Sequence, residues 1–291
     1  MNKKTDGGLW LTDFDGTIKP GDGGPVAEAD LAALRRLGAL GWRRAVATGR
    51  SLFGFAKAWQ PGLELDYLIF SSGAGLCSWS ERGPGPIIEA SVFEPKAARQ
   101  ALQAALNLKF GFFAYHAPPD NHHFYHHRPP GGPEVPAGFD RRLELFRTQC
   151  SPWGGRTAEN FDEPLSQVMI MVPAERADAI EAEFRRQAPG LSVIRSSSPF
   201  GDGCLWLEIF PPGISKSLAA ASLTGRLGLD PGQTVALGND YNDRDLLNWA
   251  GRAFITADAP ADLRGSLPTI APAGDGGLAE AVEAVLGAGK N

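Results

Sequence analysis

The chain carries only three cysteines, Cys77, Cys150 and Cys204, in 291 residues. Their number is odd and none stands in a Cys-x-x-Cys spacing. That pattern argues against a disulfide framework or a cysteine-bound zinc, and for reduced thiols in a cytoplasmic protein. Long apolar runs are missing too. Nowhere do about 18 apolar residues follow one another, so no membrane-crossing helix is expected. The stretch from Met1 to Gly8 has two lysines but no apolar run behind them of the length a signal peptide needs. Positive charge is not in excess: 28 Lys and Arg stand against 33 Asp and Glu, a formal net charge of −5. This balance disfavours nucleic acid or an anionic membrane as the main partner. A small anionic ligand is still admissible, because local cations and backbone N–H groups decide its binding. There is no internal repeat, and nothing in the sequence fixes an oligomeric state.

The length suits two domains. Short apolar runs alternate with amphipathic stretches, the pattern of an α/β fold with a parallel sheet. Strands are expected at 9–12, 43–48, 67–71, 205–210 and 234–237. Helices are expected at 28–40, 51–59, 215–227 and 243–250, and the runs 252–256, 259–265 and 278–286 finish the pattern. The middle differs: Pro and Gly gather at 83–86 and 118–138, strand-like runs lie at 110–115 and 168–172, and helical stretches at 96–108, 139–148 and 174–186. The expected organisation is a discontinuous core built from residues 1–76 and 203–291, with an α/β domain inserted at 77–202.

Four polar segments each follow or flank an expected strand, and such positions gather at the carboxyl edge of a parallel sheet, where ligands bind. In Asp13-Phe14-Asp15-Gly16-Thr17, two carboxylates end an apolar strand and are costly to bury without a cation or hydrogen-bond donors. A carboxylate can attack phosphorus if a metal offsets the repulsion between anions. Asp15 can then exchange a proton with the leaving oxygen, and Gly16 lets the backbone turn close to a phosphate. Thr48-Gly49-Arg50 offers a hydroxyl and N–H groups suited to a phosphoryl oxygen. Ser215-Lys216 puts a cation in the first turn of a helix, against the dipole, which a nearby anion would turn to advantage. Gly238-Asn239-Asp240-Tyr241-Asn242-Asp243 supplies oxygen ligands of the kind Mg2+ takes. Taken singly, each segment has a plainer reading as turn caps, helix caps or a solvated Arg. Their order and density speak for one shared site.

Asp-Phe-Asp-Gly-Thr behind an apolar strand resembles the first motif of the haloacid dehalogenase-like hydrolase superfamily. Thr-Gly-Arg and the large middle region resemble its members with an α/β cap. The resemblance covers nearly the whole chain. It implies a Rossmann-like core, a nucleophile at Asp13 and a general acid/base at Asp15. It further implies phosphate binding at Gly16, Thr48, Gly49 and Lys216, and Mg2+ held by Asp13, the Asp15 carbonyl, Asn239 and Asp243. Two positions depart from the usual pattern. Asn239 replaces an Asp of the last motif, which should lower metal affinity unless Asp240 or Asp243 compensates. Ser72 replaces the Asn of an Asn-Gly-Ala common at the core–cap junction. The implied activity is a Mg2+-dependent phosphatase for a small phosphorylated metabolite, such as a phosphosugar. The rivals are a phosphomutase on a sugar phosphate and a non-catalytic phospholigand sensor.

All five histidines lie between His116 and His127. A zinc site is conceivable there, but no Cys and few carboxylates stand near, and an ordinary loop or strand is the leading reading. Substrate contact through His122, His123 and Arg128 is the second, with Phe124 and Tyr125 able to pack on a sugar ring. Arg50 is the remaining candidate for a substrate contact.

Overall fold

A computed structural model describes residues 7–21, 23–130, 135–265 and 267–287. Residues 1–6, most of the N-terminal stretch read above for a leader, lie outside the described residues. From the amino end run β1 (Leu9–Thr12), α1 (Glu28–Ala39), β2 (Arg43–Ala47), α2 (Leu52–Ala58), β3 (Tyr67–Phe70), β4 (Gly75–Ser80) and β5 (Gly83–Ala90). The middle adds α3 (Pro95–Leu108), β6 (Phe112–His116), β7 (Phe124–His127), α4 (Ala137–Leu145), β8 (Cys150–Pro152), β9 (Leu165–Pro173), α5 (Ala177–Gln187), β10 (Ser192–Ser197) and β11 (Cys204–Phe210). The chain ends with α6 (Lys216–Arg226), β12 (Thr234–Gly238), α7 (Arg244–Trp249), β13 (Arg252–Thr256), α8 (Ala261–Arg264), β14 (Thr269–Ile270) and α9 (Gly277–Gly287).

Two compact units result. The first comprises residues 1–50, 55–89 and 215–291; the second comprises 51–54 and 90–214. The first unit holds an eight-stranded sheet in the order β14-β13-β12-β1-β2-β3-β4-β5. Pairing is parallel from β14 to β3 and turns antiparallel between β3 and β4. Central β1, Leu-Trp-Leu-Thr, is buried at every position because it has a neighbour on each side and is covered on both faces. Leu31, Leu34 and Leu37 recur at helical spacing and form the buried face of α1. Leu9, Leu11, Ala45, Ile69, Ala236 and Ile255 share one core with Leu223 of α6 and Leu246 of α7.

The second unit is a six-stranded sheet, β10-β11-β9-β6-β7-β8. All its pairs are antiparallel except β7 with β8. Strand periodicity sorts its two faces. Phe112, Ala114, Val168 and Ile170 join the helix residues Leu102, Ile180 and Phe184 in one core. Their neighbours Phe113, Tyr115, Met169 and Met171 pack on the other side with Phe124 and Phe139.

The expected boundaries at 77 and 202 differ from these units. Residues 77–89 continue the first sheet, since β4 pairs with β3 through Leu68 opposite Cys77. Residues 203–214 belong to the second unit, because β11 pairs antiparallel with both β9 and β10. A strand flanked by antiparallel partners on each side cannot be exchanged into a parallel sheet without losing both ladders. Among the described residues no helix is long and apolar enough to cross a membrane.

Candidate active site

Register brings the motifs to one edge of the first sheet. Thr12, the last residue of β1, stands opposite Val46 of β2 and Leu237 of β12. The Asp13 N–H extends this ladder to the Leu237 carbonyl (2.9 Å) and the Thr48 N–H bonds to the Ile69 carbonyl (2.9 Å). Asp13, Thr48 and Asn239 therefore leave adjacent strand ends. Beyond β1 the chain doubles back, with the N–H groups of Ile18 and Lys19 both donating to the Phe14 carbonyl (3.1 and 2.9 Å). Gly16 has φ +79°, where other residues are strained, and a Cβ there would stand 2.2 Å from the Asn239 amide, which would have to move. Its N–H is committed to the Lys19 carbonyl (2.8 Å).

Ser215 caps α6, its Oγ accepting from the Leu218 N–H (3.2 Å), which fixes Lys216 as the first helical residue. The Lys216 ammonium is wholly buried and donates to Asp13 Oδ1 (2.6 Å) and Asp243 Oδ1 (2.7 Å), with Asn242 Oδ1 at 3.4 Å. Asp243 Oδ2 accepts from the N–H groups of Asn239 (2.9 Å) and Asp240 (3.1 Å). Gly238 must approach closely for this: a Cβ there would meet Asp243 Cβ at 2.5 Å. The second oxygen of Asp13 accepts from Thr17 Oγ1 (3.2 Å). The Asn239 side chain reaches Asp13 Oδ2 (3.2 Å), the Asp15 carbonyl (3.1 Å) and Thr17 Oγ1 (3.0 Å), and with its amide nitrogen toward them it donates to all three. Above this layer Arg50 grips the Asp15 carboxylate with two parallel bonds of 2.7 Å, both side chains being part-exposed. The Thr48 hydroxyl accepts from the Arg50 N–H (3.1 Å).

The charges do not balance. Two buried carboxylates share one buried ammonium, leaving one negative charge if all are ionised. Burial pushes the Asp13 carboxyl up to about 7 even though Lys216 pulls it down. Burial likewise raises Asp243, again against Lys216. Burial alone would lower the Lys216 ammonium, but Asp13 and Asp243 outweigh it and hold it above its ordinary value. A further cation beside Asp13 would relieve this imbalance. The donor set suits one: Asp13 Oδ2 and the Asp15 carbonyl converge on Asn239, whose amide, turned about, offers a third oxygen. Hard oxygen donors of this kind fit Mg2+.

The structure thus brings together Asp13, Asp15, Gly16, Thr48, Gly49, Arg50, Lys216, Asn239 and Asp243 in the first unit. Gly49 lies so that a Cβ would come 3.6 Å from Ser72 Oγ and 3.7 Å from Asn242 Nδ2. Asp243, expected as a metal ligand, has its oxygens turned to Lys216 and the two backbone N–H groups. Its carboxylate anchors the lysine. Between Asn239 and Asp240, the side chain that meets Asp13 is that of Asn239. Thr17 and Asn242 carry bonds that sequence reasoning did not assign, although both stood inside the quoted motifs. The cap candidates lie in the second unit: Arg128 pairs with Asp140 and lies over the Phe139 ring (5.1 Å), while Phe53 stacks on His122 at 4.0 Å.

A model of the haloacid dehalogenase-like hydrolases matches residues 10–281. HMP-PP phosphatases of Klebsiella pneumoniae and Escherichia coli are similar locally, 38% identical over 69 residues and 40% over 62. These matches cover 24% and 21% of this chain and 25% and 23% of the relatives, so the chain spans about a quarter of the length of the curated relatives it matches. Among solved structures, a phosphatase of the haloalkanoate superfamily from Bacteroides thetaiotaomicron has a TM-score of 0.74 at 16% identity, covering 98% of this chain and 97% of its own. A Streptococcus mutans protein has 0.76 at 15%, covering 97% and 100%. A subclass IIB sugar phosphatase has 0.72 at 16%, covering 96% and 99%. At these identities the structural likeness concerns the fold.

Proposed function

The chain belongs to the haloacid dehalogenase-like hydrolases, and we propose that it is a Mg2+-dependent phosphomonoester hydrolase that forms an aspartyl-phosphate on Asp13. One observation carries this reading: the buried Lys216 ammonium lies 2.6 Å from Asp13, a carboxylate left with surplus negative charge whose other oxygen meets Asn239 beside the Asp15 carbonyl.

Asp13 Oδ2, the Asp15 carbonyl and Asn239 Oδ1 are the atoms that would hold the metal. When bound, Mg2+ supplies positive charge that keeps Asp13 ionised and shields it from the incoming phosphate. A carboxylate oxygen of Asp13 attacks phosphorus while Lys216 and the Thr48 hydroxyl face the charge on the phosphoryl oxygens. The bond to the leaving oxygen breaks, and that oxygen takes a proton from Asp15. Asp15 then removes a proton from water, which attacks the acyl-phosphate, releases inorganic phosphate and returns Asp13 to its carboxylate. Both Asp15 oxygens accept from Arg50 in the structure, so Asp15 carries and transfers its proton once that fork has opened. Asp243 keeps Lys216 in place.

The substrate class is a small phosphorylated metabolite, such as a sugar phosphate or a compound like HMP-PP, in keeping with the names of the similar proteins. A panel of phosphorylated metabolites assayed for phosphate release tests the reading. Turnover of at least one compound is expected with Mg2+, and none with EDTA or in Asp13→Asn. Turnover that survives Asp13→Asn contradicts it.

A further inference from the structure

The connection between β6 and β7 carries chemistry that the phosphatase reading does not use. It folds back on itself through three backbone bonds: Asp120 N–H to the Ala117 carbonyl (3.0 Å), His123 N–H to the Asp120 carbonyl (2.8 Å), and His116 N–H to the His123 carbonyl (3.1 Å). The side chains of Asp120, His122 and His123 are thereby gathered. One ligand-capable atom from each lies within 4.8 Å of the others. Bonds of about 2.1 Å in a tetrahedral shell put ligand atoms roughly 3.4 Å apart, so each pair has at most about 1.4 Å to close.

The rings already pack on one another. Phe53 stacks on His122 with centroids 4.0 Å apart and planes at 15°, and His122 lies 4.1 Å from His123. Both histidines are half-buried while Asp120 is exposed, which leaves an entry path from solvent. Two imidazoles and one carboxylate form a donor set for a borderline ion, with a fourth position open to water. The all-oxygen set at Asp13 belongs to a hard ion instead. The two sites therefore differ in the metals they select.

We propose that Asp120, His122 and His123 bind a divalent transition ion of the Zn2+, Co2+ or Ni2+ kind, which clamps the β6–β7 connection. The ion is a second metal, independent of the one at the phosphate site.

Co2+ titration of the untagged full chain in millimolar Mg2+, followed by visible absorption and equilibrium dialysis, tests this. One Co2+ per chain is expected to bind despite the excess Mg2+. Affinity should fall at least tenfold in His122→Ala and in His123→Ala, fall in Asp120→Asn, and stay unchanged in Asp13→Asn. His122→Gln and His123→Gln should repeat the loss, and circular dichroism of the metal-free variants separates loss of a ligand from loss of fold. Failure to bind Co2+ in the presence of Mg2+ overturns the proposal. So does binding that survives the paired His122 and His123 substitutions, or that disappears in Asp13→Asn.

Discussion

At the scale of the residue, Lys216 holds the site together. Its ammonium is the shared partner of two buried carboxylates, so removing it leaves both without that counter-charge. Lys216→Met, close in volume but uncharged, is expected to cost roughly 3 kcal/mol or more in urea unfolding at pH 7 and to abolish phosphate release. A loss of activity with unchanged stability would show that the carboxylates do not depend on it. Asn239 gives a second test. Its amide donates to Asp13 Oδ2 and the Asp15 carbonyl, so Asn239→Asp sets a new negative charge against an old one. The melting temperature in EDTA should fall below that of the parent, and the rise produced by Mg2+ should be larger. A tenfold tighter ion corresponds to about 1.4 kcal/mol of added stabilisation at saturation. A smaller Mg2+ response in Asn239→Asp would place the metal elsewhere. The position of Lys216 was legible in the sequence because a cation opposing a helix dipole needs an anion nearby. Its second partner was not: Asp243 reads as a metal ligand until the Gly238 turn is seen to aim its oxygens at Lys216 and two N–H groups.

At the scale of the element, Asp30 joins α1 to α9. It is buried, and Oδ1 accepts from the Ala279 N–H (2.9 Å) in the first turn of α9, while Oδ2 has no hydrogen-bond partner among the described residues. Burial raises its pKa, with the Ala279 and Leu278 N–H groups opposing. A carboxyl with a raised folded pKa favours the fold below its unfolded value of about 3.9, and that contribution is lost as pH rises through the folded value. Asp30→Asn keeps an oxygen for Ala279 and does not ionise. Its stability relative to the parent should therefore improve between pH 4.5 and 7, measured by urea unfolding at both; a pH-independent difference would contradict the assignment. Elements with a clear period were legible, including β1, α1, α6 and β12. Strand β5 was not, because Gly83-Pro84-Gly85-Pro86 reads as a loop. It succeeds as a strand at the sheet edge, where a missing N–H faces no partner. Strand β8, which ends in Pro152, sits at an edge for the same reason.

At the scale of the whole molecule, two cores divide the labour. The sequence pattern shows an insertion but not its borders, since a strand does not declare which sheet it will join; the expected cuts run through β4 and put β11 with the first unit. Phe184 is wholly buried in the core of the second unit. Phe184→Ala should cost about 3–5 kcal/mol of that unit's stability while leaving the Mg2+ affinity within about twofold, read by calorimetric unfolding and Mg2+ titration. A parallel loss of Mg2+ affinity would mean the units share their stability. The central claim is read on the intact chain, by acid-quenching a reaction with a turned-over phosphoester and Mg2+, then mapping the adduct by mass spectrometry. The expected result is a hydroxylamine-sensitive phosphate on Asp13, absent in Asp13→Asn. Steady phosphate release with no phosphate on Asp13 at any quench time, and undiminished in Asp13→Asn, would contradict it.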